Sequence, residues 1–174
     1  LRSLPLEDEI WETISSMSLE SDPGPDGFPG SFYVAAWVIV RSQVNETIQD
    51  FFKGGSLNKG SCASRVVLVL KRKDPYDVNH YRPICLCNVS YKILGSLLAR
   101  RLNKVMPKII SQEQHGFIQG RGIQGVVGVS QELTTDLNKK VVGSNLIIQV
   151  DMDKAYDKLE WSFLIRVMRR MGFH

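Results

Sequence analysis

Three aspartates, Asp151, Asp153 and Asp157, close the stretch "LIIQVDMDKAYD", spaced two and four residues apart. Negative charge of that density raises the question of what meets it. Without a cation or hydrogen-bond donors, a carboxylate beside an apolar run costs desolvation energy. The bland alternative is that one aspartate caps a following helix and the others are solvated. Residues 146–150 are β-branched and almost wholly apolar, which predicts a buried strand. Asp151 is then expected at the strand's carboxyl end, where α/β proteins place ligand-binding groups.

The elements that would position these residues can be read from periodicity. Leu6, Ile10, Ile14 and Met17 recur at helical spacing, with acids in the first turn. "SDPGPDGFPG" must be a loop. A second helix is expected over 31–52, stopped by Gly54 and Gly55. "RVVLVLK" predicts a strand over 65–71, followed by a polar loop up to "YRPI". Residues 91–106 predict a strongly amphipathic helix ended by Pro107. Its stripe is Ile93, Leu94, Leu97, Leu98, Leu102 and Val105, while Lys92, Arg100, Arg101 and Lys104 decorate other faces. The last helix spans "EWSFLIRVMRRMGF", with Gly172 as its stop. This order fits a mixed α/β fold rich in helix.

Composition is that of an ordinary globular chain, 43% hydrophobic and 23% charged. No apolar run approaches a membrane span and no secretory leader opens the chain, so an intracellular place, nuclear or cytoplasmic, is expected. Cys62, Cys85 and Cys87 are expected as reduced thiols. His80, His115 and His174 lack finger-like spacing, which argues against zinc. Residues 1–52 hold two basic and nine acidic side chains; residues 53–174 hold 20 basic and nine acidic, a balance of +11. Such a basic body suggests an anionic partner, nucleic acid ahead of a membrane surface, although basic residues are often only a solvated face.

Five collinear blocks stand out: "PGPDGFP" (23–29), "YRPICLCNVSYKIL" (81–94), "LARRL" (98–102), "ISQEQHGFIQGRGI" (110–123) and "VDMDKAYDKLEW" (150–161). In that order they resemble the reverse transcriptase of LINE-type, non-LTR retrotransposons, especially the kind abundant in plant genomes. The resemblance implies a right-hand polymerase, represented here by fingers and part of the palm. It divides the chain into an N-terminal helical region with the PGPDG loop (1–60), fingers (61–143) and the start of the palm (144–174). The implied partners are an RNA template, a DNA primer and deoxynucleoside triphosphates. Two magnesium or manganese ions are implied, one activating the primer hydroxyl and the other neutralising the triphosphate.

Residue by residue, the resemblance makes Asp151 the metal-binding aspartate of the first palm motif, assisted by the backbone carbonyl of Met152. Asp153 is expected to be exposed, and Asp157 to have a structural hydrogen-bonding role. The Tyr156 ring would lie beneath the incoming sugar and clash with a 2′-hydroxyl; otherwise it is a packed tyrosine. Arg82 matches the fingers arginine, whose planar fork grips phosphate. Lys71 matches the fingers lysine, with Lys73 a substitute on the same face if the strand continues. The alternative for each of Arg82, Lys71 and Lys73 is an exposed charge beside Asp74 or Asp77. Gln114, Gly120 and Arg121 fall in the block that approaches template and nucleotide, although Gly120 could simply be a turn residue.

The sequence also departs from the family. Leu70 replaces the usual proline before the lysine, and His115 stands where a serine or alanine is common. After "GR", residues 122–126 read "GIQGV" where the family usually runs Leu-Ile-x-Asp-Asn. These changes look like drift. The second pair of palm aspartates is not found, since only Glu160 is acidic after Asp157. An incomplete domain, inactive alone, is therefore expected. The other reading is a decayed or domesticated fragment that only binds RNA or an RNA–DNA hybrid. Sugar-nucleotide transferases and haloacid-dehalogenase-like phosphatases also carry "VDMD"-like strands, but the first leaves "YRPI" unexplained and the second wants Thr or Val at Ala155. Template, insertion target and oligomeric state are not legible.

Overall fold

The acidic segment after Pro5 forms helix α1 (Glu7–Ser15), whose Glu7, Asp8 and Glu9 lie at the positive end of the helix dipole. The computed structural model describes residues 1–137, 146–152 and 154–173, in two compact units, Leu1–Lys104 and Val105–His174. In the first unit, α1 is followed by α2 (Gly30–Ala35), α3 (Trp37–Phe52), β1 (Ser64–Leu70), a 3-10 turn (Val78–His80), β2 (Tyr81–Cys87) and α4 (Val89–Asn103). The single helix expected over 31–52 breaks at Ala36, where φ is −94° and ψ 10°. The break leaves Trp37 stacked at a tilt on Trp11, ring centroids 5.1 Å apart. Gly54, at φ +100°, then ends α3 as expected, with Gly55 N–H donating back to the Asp50 carbonyl.

The core joins Ile10 and Ile14 of α1, Ile48 of α3, and Val89, Ile93, Leu94 and Leu97 of α4. Of the stripe expected there, Ile93, Leu94 and Leu97 are buried, Leu98 and Leu102 are half-buried, and Val105 lies beyond the helix. Leu6 is an exception, exposed at the N-cap of α1. The helix leaves off at Asn103, before Pro107, which sits in the first turn of the short α5 (Met106–Ile109), where a missing N–H matters least.

Two arginines of α4 are engaged by the N-terminal segment, Arg101 mostly buried and Arg100 at the surface. The Arg101 fork holds Glu9, with Nε 2.8 Å and Nη2 2.6 Å from the two carboxylate oxygens. Its Nη1 donates to the carbonyls of Leu1 and Ser3, and the guanidinium lies 4.9 Å from the Phe52 ring centre. Arg100 donates to the carbonyl and carboxylate of Glu12. The acidic first third and part of the basic body thus neutralise each other, which reduces the charge left for a partner.

The loop at 23–29 is ordered by α4's N-cap. Asn88, 3% exposed, accepts a hydrogen bond from Asp26 N–H at 3.2 Å and donates to the Gly60 carbonyl at 2.8 Å. Gly24 is pressed so close that a Cβ there would fall on the Asn88 side chain and backbone. Gly27, at φ +77°, closes the turn.

β1 and β2 form an antiparallel hairpin with Val69 opposite Arg82 and Leu70 opposite Tyr81. "YRPICLC", expected as the end of a loop, is a strand: Pro83 is tolerated because both strands of a two-stranded sheet are edges. Cys62, Cys85 and Cys87 are free thiols.

The second unit holds α5, α6 (Ile123–Asp136) and α7 (Trp161–Arg170). Gly172, at φ +87°, ends α7, with Gly172 N–H bonded to Arg169 and Phe173 N–H to Met168, as the sequence suggests. The first unit ends at Lys104, just past α4, which packs on α1.

The buried strand expected over 146–150 is not formed. These residues are exposed and in no ladder, with Leu146 and Val150 each 79% exposed. A strand exists only where another pairs with it, and among the described residues none does. The sheet is therefore small and antiparallel, within a mixed helix-and-sheet fold. No described helix is long and apolar enough to cross a membrane.

Glu9 and Arg101 give a test of the first unit. The Glu9 carboxyl is held below its usual range, chiefly by the Arg101 hydrogen bonds. A lowered carboxyl pKa stabilises the fold above the unfolded pKa, and that contribution fades as pH falls through the folded value. Arg101→Ala should lower the urea unfolding free energy at pH 7 by roughly 3 kcal/mol. The difference between the parent and Glu9→Gln should narrow as pH drops below the carboxylate range.

Candidate functional site

At the turn end of the hairpin the ladder runs one step past β1, with Lys71 N–H donating to the His80 carbonyl at 2.8 Å. Alternation places Lys71 on the face of Val69 and its partner Arg82. Two basic side chains thus share one end and one face. Lys71 Nζ donates to the Asn79 carbonyl at 2.9 Å. Arg82 and Lys73 are exposed, and among the described residues neither makes an ion pair. The strand stops at Leu70, so the condition that would carry Lys73 to the same face is not met.

The turn between the strands is firmly built. Asp77 accepts hydrogen bonds from the backbone and side-chain nitrogens of Asn79, and these, the side chain first, hold its carboxyl below the usual range. A separate cavity of about 650 Å³ opens in the first unit between the Asp26 loop, α3 and α4. Burial pushes the Tyr33 hydroxyl on its wall upward. None of the candidate residues lines it.

In the second unit, Asp151, Met152, Tyr156 and Asp157 are all exposed. Lys154 takes φ +52°, and Lys158 N–H closes the turn on the Lys154 carbonyl at 3.0 Å. Asp153, expected to be exposed, lies outside the described residues. Asp151 thus lies in a segment outside any helix or strand, not at a strand end. Among the described residues no cluster of three metal-ligating side chains forms.

The block at 110–123 is organised from within. The Arg121 guanidinium donates to four carbonyls, those of Ser111, Gln114, Pro107 and Ile110. Its fork therefore faces its own loop. Gly120 has φ +84°, a backbone that favours glycine, and Gln114 Nε2 bonds the Gly116 carbonyl. Two of the departures meet here. A Cβ at Gly125 would stand 3.3 Å from His115 Nε2, so the glycine leaves room for the imidazole.

Sequence reasoning missed three residues. Asn88 carried no signal beyond its place before a helix. Phe117 takes φ +63° and is 89% exposed, a strained and uncovered aromatic. Tyr76, in a loop between two strands, was one aromatic among polar residues.

Residues 69–174, more than half of the chain, match the family described as reverse transcriptase (RNA-dependent DNA polymerase). The chain belongs to the reverse transcriptase family. It is 26% identical over 167 residues to the transposon TX1 uncharacterized 149 kDa protein of Xenopus laevis, covering 95% of this chain and 13% of that protein. Over 169 residues it is 27% identical to the retrovirus-related Pol polyprotein from type-1 retrotransposable element R1 of Bradysia coprophila, covering 92% of this chain and 16% of that protein. It is also 25% identical over 177 residues to the probable RNA-directed DNA polymerase from transposon BS of Drosophila melanogaster, covering 97% of this chain and 19% of that protein. This reverse transcriptase chain thus spans under a fifth of the length of these relatives.

Arg121 offers the direct check on this loop. A lysine keeps the charge but cannot reach four carbonyls. Arg121→Lys should speed amide exchange across 107–121 on the order of tenfold, about 1.4 kcal/mol of local stability. Exchange in α4 should stay unchanged.

Proposed function

We propose that the chain is the fingers and first part of the palm of a right-hand, RNA-directed DNA polymerase. Its source would be a LINE-type, non-LTR retrotransposon of the plant-genome kind. The parent protein adds deoxynucleotides to a DNA primer on an RNA template. One observation carries the reading: the family match takes in every candidate residue from Lys71 to Tyr156.

Arg82 and Lys71, on one face at the turn end of the hairpin, bind the triphosphate of the incoming nucleotide. Lys73 is the flanking cation. Gln114 and Gly120 border the template and nucleotide pocket. Arg121, turned into the loop, positions them. Tyr156 lies against the sugar and excludes a 2′-hydroxyl.

The exposed Asp151 carboxylate and the Met152 carbonyl are hard oxygen donors and fit Mg²⁺ or Mn²⁺. When bound, a pair of such ions supplies activation of the primer hydroxyl and neutralisation of triphosphate charge. Two cations held close together need more carboxylates than Asp151, and a further palm segment of the parent would provide them.

The test is a chimera joining this chain to the downstream palm and thumb of an active relative. In primer extension with magnesium, Asp151→Asn should abolish synthesis, since it removes charge and keeps shape. Asp153→Asn should cost little, and Tyr156→Ala should relax discrimination against ribonucleotides. An Asp151→Asn chimera as fast as its parent overturns the assignment.

A further inference from the structure

The tip of the hairpin carries an arrangement that triphosphate binding does not use. Tyr76 is 83% exposed, so its ring contributes little to burial. It is held nonetheless. The Arg72 guanidinium carbon stands 5.4 Å from its ring centre, and the His80 ring meets it at 4.4 Å, nearly perpendicular at 82°. The Tyr76 backbone N–H donates to His80 Nδ1 at 3.3 Å. The turn beneath is fixed by Asp77 on Asn79 and by Lys71 on the Asn79 carbonyl. A tyrosine kept for packing would be covered; this one is oriented and left open to solvent.

Its surroundings favour an anion with flat apolar faces. Residues 71–73 read Lys-Arg-Lys, and Arg82 follows on β2. Of the two aspartates in this turn, Asp77 is engaged by Asn79. Aromatic rings set among cations bind single strands: the cations track phosphates, and the ring stacks on any base whose π-face is free. A preordered ring loses little rotamer freedom on binding.

We propose that Tyr76, braced by Arg72 and His80, is a stacking platform for an unpaired base of single-stranded RNA. The choice of RNA rests on the polymerase reading above; the platform itself rests on the hairpin tip. Such a site would hold a strand by its bases without reading sequence, because every base offers a face.

The probe is a single-stranded RNA 12-mer carrying one 2-aminopurine, titrated with the 174-residue chain at several salt concentrations. Stacking should quench the 2-aminopurine. Tyr76→Ala should abolish the quench and weaken binding on the order of tenfold at fixed salt. The slope of log affinity against log salt should be unchanged, because no phosphate contact is lost. Tyr76→Phe should keep both affinity and quench. Lys73→Ala should keep the quench and flatten the salt slope by about one. Circular dichroism should show all three variants folded, as the exposure of Tyr76 implies.

Equal binding and quenching by Tyr76→Ala overturns the platform and leaves Asp151-dependent synthesis untouched. So does an equal effect of Tyr76→Ala on blunt RNA duplex, where bases are already stacked. A parent chain that binds no RNA at low salt overturns the platform, while primer extension by the chimera decides the polymerase reading separately.

Discussion

The first unit depends on one buried amide. Asn88 stands where β2 ends and α4 begins, and its side chain satisfies two other segments at once: the Asp26 N–H and the Gly60 carbonyl. A buried amide left without partners is destabilising by a few kcal/mol, so the three segments are bound to adopt one arrangement together. The same contact explains why "PGPDG" and "YRPICLCN", more than fifty residues apart, occur in one chain. Gly24 is small because Asn88 is beside it. The hairpin that carries Arg82 inherits its anchorage from this point.

A second level of order comes from charge used internally. The excess of acids before residue 53 and of bases after it suggests a surface awaiting an anion. In the fold, Arg101 turns inward onto Glu9, and Arg100 pairs with Glu12 at the surface. Arg121 is likewise spent on four carbonyls of its own loop. Arginines with several partners rigidify the backbone they hold. Lys73 and Arg82 stay outward, at the turn end of the hairpin. Net charge counts all of these alike, and only geometry separates them.

Much of the helical frame was legible because local periodicity and end signals agree with packing. Ile93, Leu94 and Leu97 of the α4 stripe, with Gly54 and Gly172, each do in space what their sequence suggests. What was not legible depends on distant partners. Residues 146–150 have the composition of a strand but no described strand to pair with. "YRPICLC" has a proline yet pairs fully with β1. Ala36 has no helix-breaking chemistry, and the break there accompanies the Trp11–Trp37 contact. In the candidate site the residue types were readable from the ordered blocks. The inward turn of Arg121 and the bracing of Tyr76 were not, since both are set by hydrogen bonds and ring contacts across a loop.

The hairpin has one more consequence. All seven residues of β1 are exposed, and "VVLVL" has strong β propensity, no charge and no proline. Each strand also presents one unpaired backbone edge. That combination is a template for edge-to-edge association of identical chains. Arg65 at one end and the Lys-Arg-Lys run at the other act as electrostatic gatekeepers, since stacking hairpins in register would bring like charges face to face. Salt screens that repulsion, so concentrated chain at high ionic strength is where self-association through β1 becomes the competing state.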